Sequence, residues 1–179
     1  MRGDRGKATL ASVPQHQTAA DLRPFTRSLP FLMHCIVARM VETASAQFAV
    51  LGLNVADARV LLALMQAGEV RVGDLSEVTC ITQSTLSHVL RRLAMQGLVT
   101  RTRAATDNRA IIVRLTPAGG LVARECVRLN AEQDVSMASH LTPRDGADLR
   151  RLLENLFAGM NGETPLDTTQ NASHTATPG

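Results

Sequence analysis

The segment from Ile81 to Leu115 constrains the fold more than any other part of the chain. Its first half carries apolar residues at the spacing of one helix face, namely Leu86, Val89, Leu90 and Leu93. Gly97 ends that pattern, as glycine commonly does after a helix. Two short β patterns follow at 98–103 and 110–115, separated by a polar loop. This order predicts an α+β domain in which a helix runs directly into a β hairpin.

Helical patterns flank this segment on both sides, so we expect the fold to be mostly helical. Five further helices are predicted, at 29–51, 56–66, 72–79, 117–140 and 143–160. Thr82, Thr116 and Thr142 each stand where an N-cap belongs, and Pro117 and Pro143 suit the first helical position. The helix at 56–66 is continuously apolar and is expected in the centre of the core.

The two ends of the chain differ in composition from the middle. Residues 1–28 show no sustained period, and residues 162–179 are rich in Thr, Ser, Pro and Gly. We expect a flexible N-terminal arm and a disordered C-terminal tail around one domain at 29–161. A chain of 179 residues is long enough for one domain with a sizeable core.

Basic charge is concentrated in the segment that holds the helix and the hairpin. Residues 81–115 contain six arginines and a single acid, Asp107, whereas the whole chain has a net charge of only +3. A helix with one polar face beside a basic hairpin is typical of a module that binds duplex DNA, because both surfaces suit a polyanion. The alternative is a charged face that serves only solvation or protein contacts.

Several other classes of function are disfavoured by what the sequence lacks. Four phenylalanines are the only aromatic residues, too few for a stacking platform or an aromatic cage. No phosphate-binding glycine loop, HExxH or nucleophile elbow occurs, so we expect neither an enzyme nor a bound cofactor. The three cysteines form no CxxC pair, so we expect neither metal nor disulfides, as in a reducing cytoplasm. The apolar stretch 31–51 contains His34, Arg39 and Glu42, so no membrane span is expected.

Residues 107–119 read DNRAIIVRLTPAG, which resembles the wing signature of the MarR family, D-x-R followed by a strand and L-T-x-x-G. Leu53-Asn54-Val55 and the stretch from Leu75 to Leu98 are also similar to that family, in the same order. The resemblance extends over about 29–160. It implies a winged helix-turn-helix DNA-binding lobe at 53–116 and N- and C-terminal dimerisation helices at 29–51 and 117–160.

The resemblance also implies roles for individual residues. The helix that begins after Thr82 would be the recognition helix, with five side chains facing the major groove: Gln83, Ser84, Thr85, Ser87 and His88. The remaining DNA-binding candidates are Arg91, Arg92, Arg101, Arg103, Asp107 and Arg109. Arg91 and Arg92 would contact phosphates, and Asp107 would brace the wing. Arg109 would either enter the minor groove or be held by Asp107. Alternatively, His88 is merely an exposed polar residue and Arg92 forms a surface ion pair.

Members of this family are dimers, and many release DNA when a small aromatic or carboxylate ligand binds. The surplus apolar surface of the helix at 29–51 agrees with a homodimer, which would read a pseudo-palindromic operator. We therefore expect a transcriptional repressor with a small-molecule effector. The candidate ligand-binding residues are Met33, His34, Val37, Arg39, Arg59 and Met65. Alternatively, His34 is an interface residue and Arg39 an ion-pair partner.

Regulation by thiol oxidation is a second hypothesis. Oxidant-sensing relatives place a reactive cysteine near the start of the first helix with supporting tyrosines. Here Leu32 occupies the matching position, Cys35 follows about one turn later, and the chain has no tyrosine. Cys80 precedes the recognition helix, but we expect it to be a small buried residue. Cys126 is expected in the core or at an interface.

Overall fold

The computed structural model describes residues 23–103 and 110–162. It contains α1 (Arg23–Thr26), α2 (Leu29–Ala49), α3 (Val55–Ala67), β1 (Glu69–Arg71), α4 (Val72–Thr79), α5 (Gln83–Met95), β2 (Val99–Arg103), β3 (Ile111–Leu115), α6 (Pro117–Ala138) and α7 (Pro143–Met160). The predicted class, α+β and mostly helical, is confirmed. The six predicted helices correspond to α2 through α7, and the predicted hairpin corresponds to β2 and β3. The expectations for residues 1–22 and 163–179 lie outside the described residues.

Two elements were not predicted. Helix α1 is a single turn inside the segment expected to be a flexible arm. Strand β1 has only the residues Glu69, Val70 and Arg71, and three residues are too few to show a period. It forms because β3, more than forty positions later, offers an edge, with Val70 directly opposite Val113.

The three strands form one antiparallel sheet in the order β1–β3–β2. Val113 of the central strand lies opposite Val70 on one side and Arg101 on the other, and its side chain is fully buried. On the opposite face of the sheet, Glu69 and Arg114 are directly paired, and their side chains form an ion pair at 3.1 Å. One face of the sheet therefore packs on the core at Val113, and the same face becomes exposed at Arg101 and Arg103 of β2, whereas Glu69 and Arg114 lie on the face in water.

Helix α3 lies at the centre of the core, as its continuous apolar run predicted. Its side chains Val60, Leu61 and Leu64 are fully buried, and it packs against α4, α5, α6 and the sheet. Burial of an aliphatic side chain of this size contributes about 1.5–3 kcal/mol. Because so many elements meet on α3, their positions are set largely by this helix.

The chain divides into two compact units, one ending at Thr43 and one beginning at Ala44, and α2 runs through the boundary. In the first unit, the rings of Phe25 and Phe31 lie 4.8 Å apart, and Ser28 donates a hydrogen bond to the Phe25 carbonyl. Six large apolar side chains of its part of α2 are exposed, in line with the predicted surplus: Leu29, Leu32, Met33, Ile36, Val37 and Val41. Within 23–103 and 110–162, no helix is both long enough and apolar enough to span a bilayer.

The L-T-x-x-G sequence joins β2, β3 and α6. The Thr116 hydroxyl accepts a hydrogen bond from the Gly119 amide at 2.9 Å and donates one to the Gly97 carbonyl at 2.7 Å. The Thr116 amide donates to the Leu98 carbonyl at 3.0 Å. A Cβ atom at Gly119 would lie 1.8 Å from that same carbonyl oxygen. Glycine is therefore required sterically, because α6 begins against the backbone that enters β2.

Replacing Gly119 with alanine should destabilise the protein by at least about 1–3 kcal/mol, since backbone must move to admit the methyl group. The free energy of unfolding in urea measures this effect. Gly120→Ala is the matched control, because no described atom beyond its chain neighbours and the adjacent backbone of α6 lies within 4 Å of a Cβ built there. Alanine in a helix should leave that variant as stable as wild type or slightly more stable. Equal stabilities of the two variants would contradict the steric explanation.

Candidate nucleic-acid interface

Helix α5 separates an apolar face from a polar one. Its predicted stripe of Leu86, Val89, Leu90 and Leu93 is buried. All six polar candidates that precede Arg92 are exposed: Gln83, Ser84, Thr85, Ser87, His88 and Arg91. Burial of the apolar stripe fixes which way the helix faces, so these side chains are presented to solvent together.

The start of α5 differs in detail from the prediction. Thr82 stands at the N-cap position, but its hydroxyl caps no backbone amide. It is hydrogen-bonded to the Thr85 hydroxyl at 3.0 Å instead. The first turn of α5 contains no acidic residue, and the partial positive charge of a helix N-terminus attracts anions. Exposed amides and hydroxyls at such an end suit contact with a phosphate.

Arg92 joins α5 to α3 through Asp57. The carboxylate of Asp57 is 1% exposed and accepts from the Arg92 guanidinium through both oxygens, with Nε at 3.2 Å from Oδ1 and 3.1 Å from Oδ2. Oδ2 also accepts from the Asn54 amide at 3.0 Å, and the Asn54 side chain accepts from the Asp57 amide. Thus Arg92 forms the ion pair considered as its alternative role, although 42% of its side chain remains exposed.

Asp57 is the residue of this site that sequence reasoning missed. The spacing Asn54-x-x-Asp57 is the signature of a helix capping box and was available in the sequence. The link to Arg92 crosses 35 positions and leaves no local pattern. Only the fold reveals that one carboxylate both caps α3 and holds α5.

Asp57→Ala should destabilise the protein by about 1.5–3 kcal/mol, the range for a hydrogen bond to a charged group. The loss of stability should be smaller than for a fully buried ion pair, because Arg92 is partly exposed and its guanidinium can be hydrated once Asp57 is removed. Denaturant unfolding measures it, and Arg91→Ala, on the exposed face of the same helix, is the control that should change stability by less than about 0.5 kcal/mol. An Asp57→Ala variant as stable as Arg91→Ala would show that the pair does not hold α5.

Two further arginines extend the basic surface onto the sheet. Arg101 and Arg103 alternate along β2, so they share one face, and both are exposed. Among the described residues no carboxylate lies within ion-pair distance of Arg91, Arg101 or Arg103, whereas Arg114 is paired with Glu69. The predicted wing residues Asp107 and Arg109 lie outside the described residues.

The cysteines differ sharply in environment. Cys80 is exposed, which corrects the expectation that it is buried. It takes the left-handed conformation, with φ of 51°, where α4 ends, and the next residue, Ile81, fills the buried position instead. Cys126 is fully buried in the core, and burial, with a contribution from Glu125, raises the pKa of its thiol to about 11. Cys35 is exposed.

The candidate ligand-binding residues fall in both units. Met33, His34, Val37 and Arg39 are exposed residues of the first unit, and Arg39 is ion-paired with Glu42 at 3.2 Å. In the second unit, Arg59 and Met65 line an open pocket of about 470 Å³ between α3, α4 and α6.

In the described part of the chain no group of three or more His, Cys, Asp or Glu side chains is arranged to hold a metal.

The sequence and the fold match known regulators. A family model described as MarR family matches residues 51–110. The organic hydroperoxide resistance transcriptional regulator of Bacillus subtilis is 29% identical over 97 residues, which is 54% of this chain. The chain spans 63% of that regulator's length and 64% of a second helix-turn-helix regulator from the same organism.

Two solved structures resemble the chain over most of its length. A MarR-family transcriptional regulator from Silicibacter pomeroyi is 27% identical and covers 80% of this chain and 97% of its own, with a TM-score of 0.68. BpsR of Bordetella bronchiseptica, whose DNA binding is regulated by 6-hydroxynicotinic acid, is 26% identical. That match covers 72% of this chain and 98% of BpsR, with a TM-score of 0.67.

Proposed function

Because a MarR family model matches residues 51–110 and the similar proteins are transcriptional regulators, we propose that the chain is a winged-helix regulator of the MarR family. In this proposal it binds duplex DNA as a homodimer and represses transcription until a small ligand releases it. The relatives are regulators, and the prediction that the chain is not an enzyme is confirmed. The specific DNA site, the sign of regulation and the effector belong to this proposal.

The exposed polar face of α5 carries the proposal. The major groove of B-DNA is about 12 Å wide and admits an α-helix whose side chains reach base edges. Arg91 would contact phosphate, and five exposed side chains would face the groove: Gln83, Ser84, Thr85, Ser87 and His88. Short polar side chains permit close approach, and Arg91, which has no carboxylate partner among the described residues, is available to replace a counterion.

The wing and β2 complete the proposed interface. Arg101 and Arg103 are exposed and unopposed by carboxylates among the described residues, so they are suited to contacts along the phosphate backbone. Arg109 would enter the minor groove, where a narrow groove concentrates negative potential, and Asp107 would brace the wing. Arg92 would add at most a secondary contact, because Asp57 already holds its guanidinium.

Exposed apolar surface in α7 supports the homodimer. Of its residues none is buried, yet six large apolar side chains recur at helical spacing: Leu149, Leu152, Leu153, Leu156, Phe157 and Met160. Water-exposed stripes of this kind mark surfaces that another chain covers. A two-fold dimer would place two α5 helices about 34 Å apart, one turn of DNA, and would read a pseudo-palindromic operator.

The pocket beside α3 supports a small-molecule effector, because about 470 Å³ lies within the usual range for ligand sites. Arg59 and Met65 line it. Met33, His34, Val37 and Arg39 are not among its lining residues, and their role as ligand contacts stays a prediction. BpsR, which shares this fold, is a protein whose DNA binding responds to an aromatic carboxylate.

The exposure of Cys80 favours a second candidate, an oxidant-responsive regulator of the same fold. Its thiol lies three residues before α5, so a bulky modification there would disturb docking of the helix. The chain lacks the tyrosines of the oxidant-sensing relatives. Loss of DNA binding on oxidation, prevented by Cys80→Ser, would favour this candidate over ligand release.

The proposal is tested by fluorescence anisotropy with a duplex from upstream of the protein's own gene, at several salt concentrations and with unrelated competitor duplex. Wild type should bind the specific duplex preferentially and lose affinity as salt rises. Arg91→Ala should reduce the slope of log affinity against log salt by about one, because one phosphate contact is lost. Arg124→Ala, an exposed arginine on α6, should leave the slope unchanged.

An unaltered slope for Arg91→Ala would remove Arg91 from the interface. A folded dimer without preference for any genomic duplex over competitor would contradict specific DNA binding. It would favour the remaining alternative, a winged-helix module that contacts only proteins.

A further inference from the structure

The hydroxyl groups at the start of α5 are not equivalent, because some of their hydrogens are already used inside the protein. Ser87 donates from Oγ to the backbone carbonyl of Gln83, one turn earlier, at 2.9 Å. A carbonyl oxygen can only accept, so serine must be the donor in this bond. Serine within a helix commonly bonds the carbonyl four positions earlier in this way. The only hydrogen of the Ser87 hydroxyl is therefore committed to the helix.

The oxygen of the same hydroxyl still has lone pairs that can accept hydrogen bonds from outside. Ser87 is exposed, and it lies one turn after Gln83 and one turn before Arg91, in a row of exposed side chains on one side of α5. Toward a bound molecule Ser87 therefore presents hydrogen-bond acceptors and no hydrogen to donate.

A neighbouring hydroxyl has the opposite character. Thr82 donates to the Oγ1 atom of Thr85 at 3.0 Å, so Thr85 is the acceptor and this bond leaves its own hydrogen unused. Thr85 can thus donate outward without losing a bond, whereas Ser87 can donate outward only if it leaves the Gln83 carbonyl. The contrast shows that the polarity of each hydroxyl is set by its partners within the protein and not by its residue type.

The base edges in the major groove offer both kinds of partner, but each base offers its own set. Adenine N6 and cytosine N4 are amino groups that donate, whereas guanine O6 and thymine O4 only accept. An oxygen that only accepts matches an amino group and meets opposing lone pairs at guanine O6 or thymine O4. Turning the hydroxyl round to donate would break its bond within the helix, and a lost hydrogen bond lowers the net gain from the new contact.

We propose that Ser87 is a specificity-determining residue that accepts a hydrogen bond from the exocyclic amino group of an adenine or a cytosine. This inference rests on the proposed function and deepens it, because it assigns a chemical polarity to one contact of α5 with the base edges. In a two-fold dimer the contact occurs once in each half-site. Both half-sites then carry adenine or cytosine at the corresponding position.

This polarity also makes the contact sensitive to methylation of the DNA. Of the two hydrogens of the amino group, one pairs with the opposite base and the other points into the major groove. When the base pair is kept, a methyl group on adenine N6 or cytosine N4 takes the place of the hydrogen in the groove. The donor for Ser87 is then lost, so binding to the duplex falls when this base is methylated.

The first test is fluorescence anisotropy with the preferred genomic duplex, in which bases are replaced by analogues that lack the amino group. Purine replaces each adenine in turn and 2-pyrimidinone each cytosine, at symmetry-related positions of the two half-sites. At one position the affinity of wild type should fall by about fivefold or more, as expected for one hydrogen bond in each half-site. Ser87→Ala should bind the unmodified duplex more weakly and should lose no further affinity at that position.

Two further variants separate the hydroxyl from other effects. Ser87→Thr keeps a hydroxyl that can bond the same carbonyl of the helix, so it should retain the loss at that position. Ser139→Ala removes a bond of the same kind outside α5, from Oγ to the Ser136 carbonyl at 2.7 Å, and should behave as wild type does. All proteins are titrated with the same duplexes, so any weakening of the base pair itself affects them equally.

The second test places N6-methyladenine or N4-methylcytosine at the position that the first test identifies. Wild type should lose at least as much affinity as it does when the amino group is absent. Ser87→Ala should lose clearly less, because it has no bond to the amino group and its smaller side chain leaves room for the methyl group. Full affinity of wild type for the methylated duplex would overturn the inferred sensitivity to methylation.

Equal losses for wild type and Ser87→Ala at every adenine and cytosine would overturn the proposal. A loss that depends on Ser87 only where 2-aminopurine, which lacks O6, replaces guanine would show that Ser87 donates, and would overturn it as well. Specific binding without any position that depends on Ser87 contradicts this inference alone. A folded dimer that prefers no genomic duplex over competitor contradicts the proposed function, and this inference with it.

Discussion

The carboxylate of Asp57 is the contact on which the arrangement of the second unit depends. A buried charge is costly unless it is paired and hydrogen-bonded, so this side chain must be supplied with donors. It obtains them from the Asn54 amide at the start of α3 and from the Arg92 guanidinium of α5. Satisfying one buried group therefore fixes the register of α5 against the central helix.

Packing and this ion pair have different roles. Burial of Leu86, Leu90 and Leu93 supplies most of the free energy that holds α5 on the core. Apolar contacts are not directional, however, and tolerate small rotations of a helix. The bidentate contact of Arg92 with Asp57 is directional, so it sets which side chains face outward. A helix face that contacts a groove requires its side chains in a fixed orientation, and this ion pair restricts the rotation of α5 accordingly.

A second junction holds the sheet and α6 together. Thr116 caps α6 and binds the Gly97 carbonyl, and Gly119 lets the helix approach Leu98 without a side chain between them. The first junction holds α5 at Arg92, and the second holds the turn between α5 and β2 at Gly97 and Leu98. The resemblance of DNRAIIVRLTPAG to a family signature therefore has a physical basis for its last part, where threonine and glycine each meet a specific backbone atom.

Local signals in the sequence predicted the elements well and the long-range contacts poorly. The amphipathic period of α5 and the Thr-Pro starts of α6 and α7 are local, and the helices begin at those residues. Strand β1 depends on β3, and the partner of Arg92 lies on another helix, so neither could be read from nearby residues. Cys80 was expected to be buried because cysteine commonly is, but the turn after α4 exposes it. The polar face of α5 was predicted correctly as a surface, whereas its roles toward DNA remain proposals.

The most direct measurement of the central claim, that paired α5 helices read DNA from the major groove, is dimethyl sulfate protection of guanine N7 on the bound upstream duplex. N7 lies in the major groove, so a helix seated there shields it. The account predicts two clusters of protected guanines, related by a two-fold axis and about 10 base pairs apart. Binding that leaves every guanine N7 reactive, or that protects a single cluster without symmetry, would contradict it.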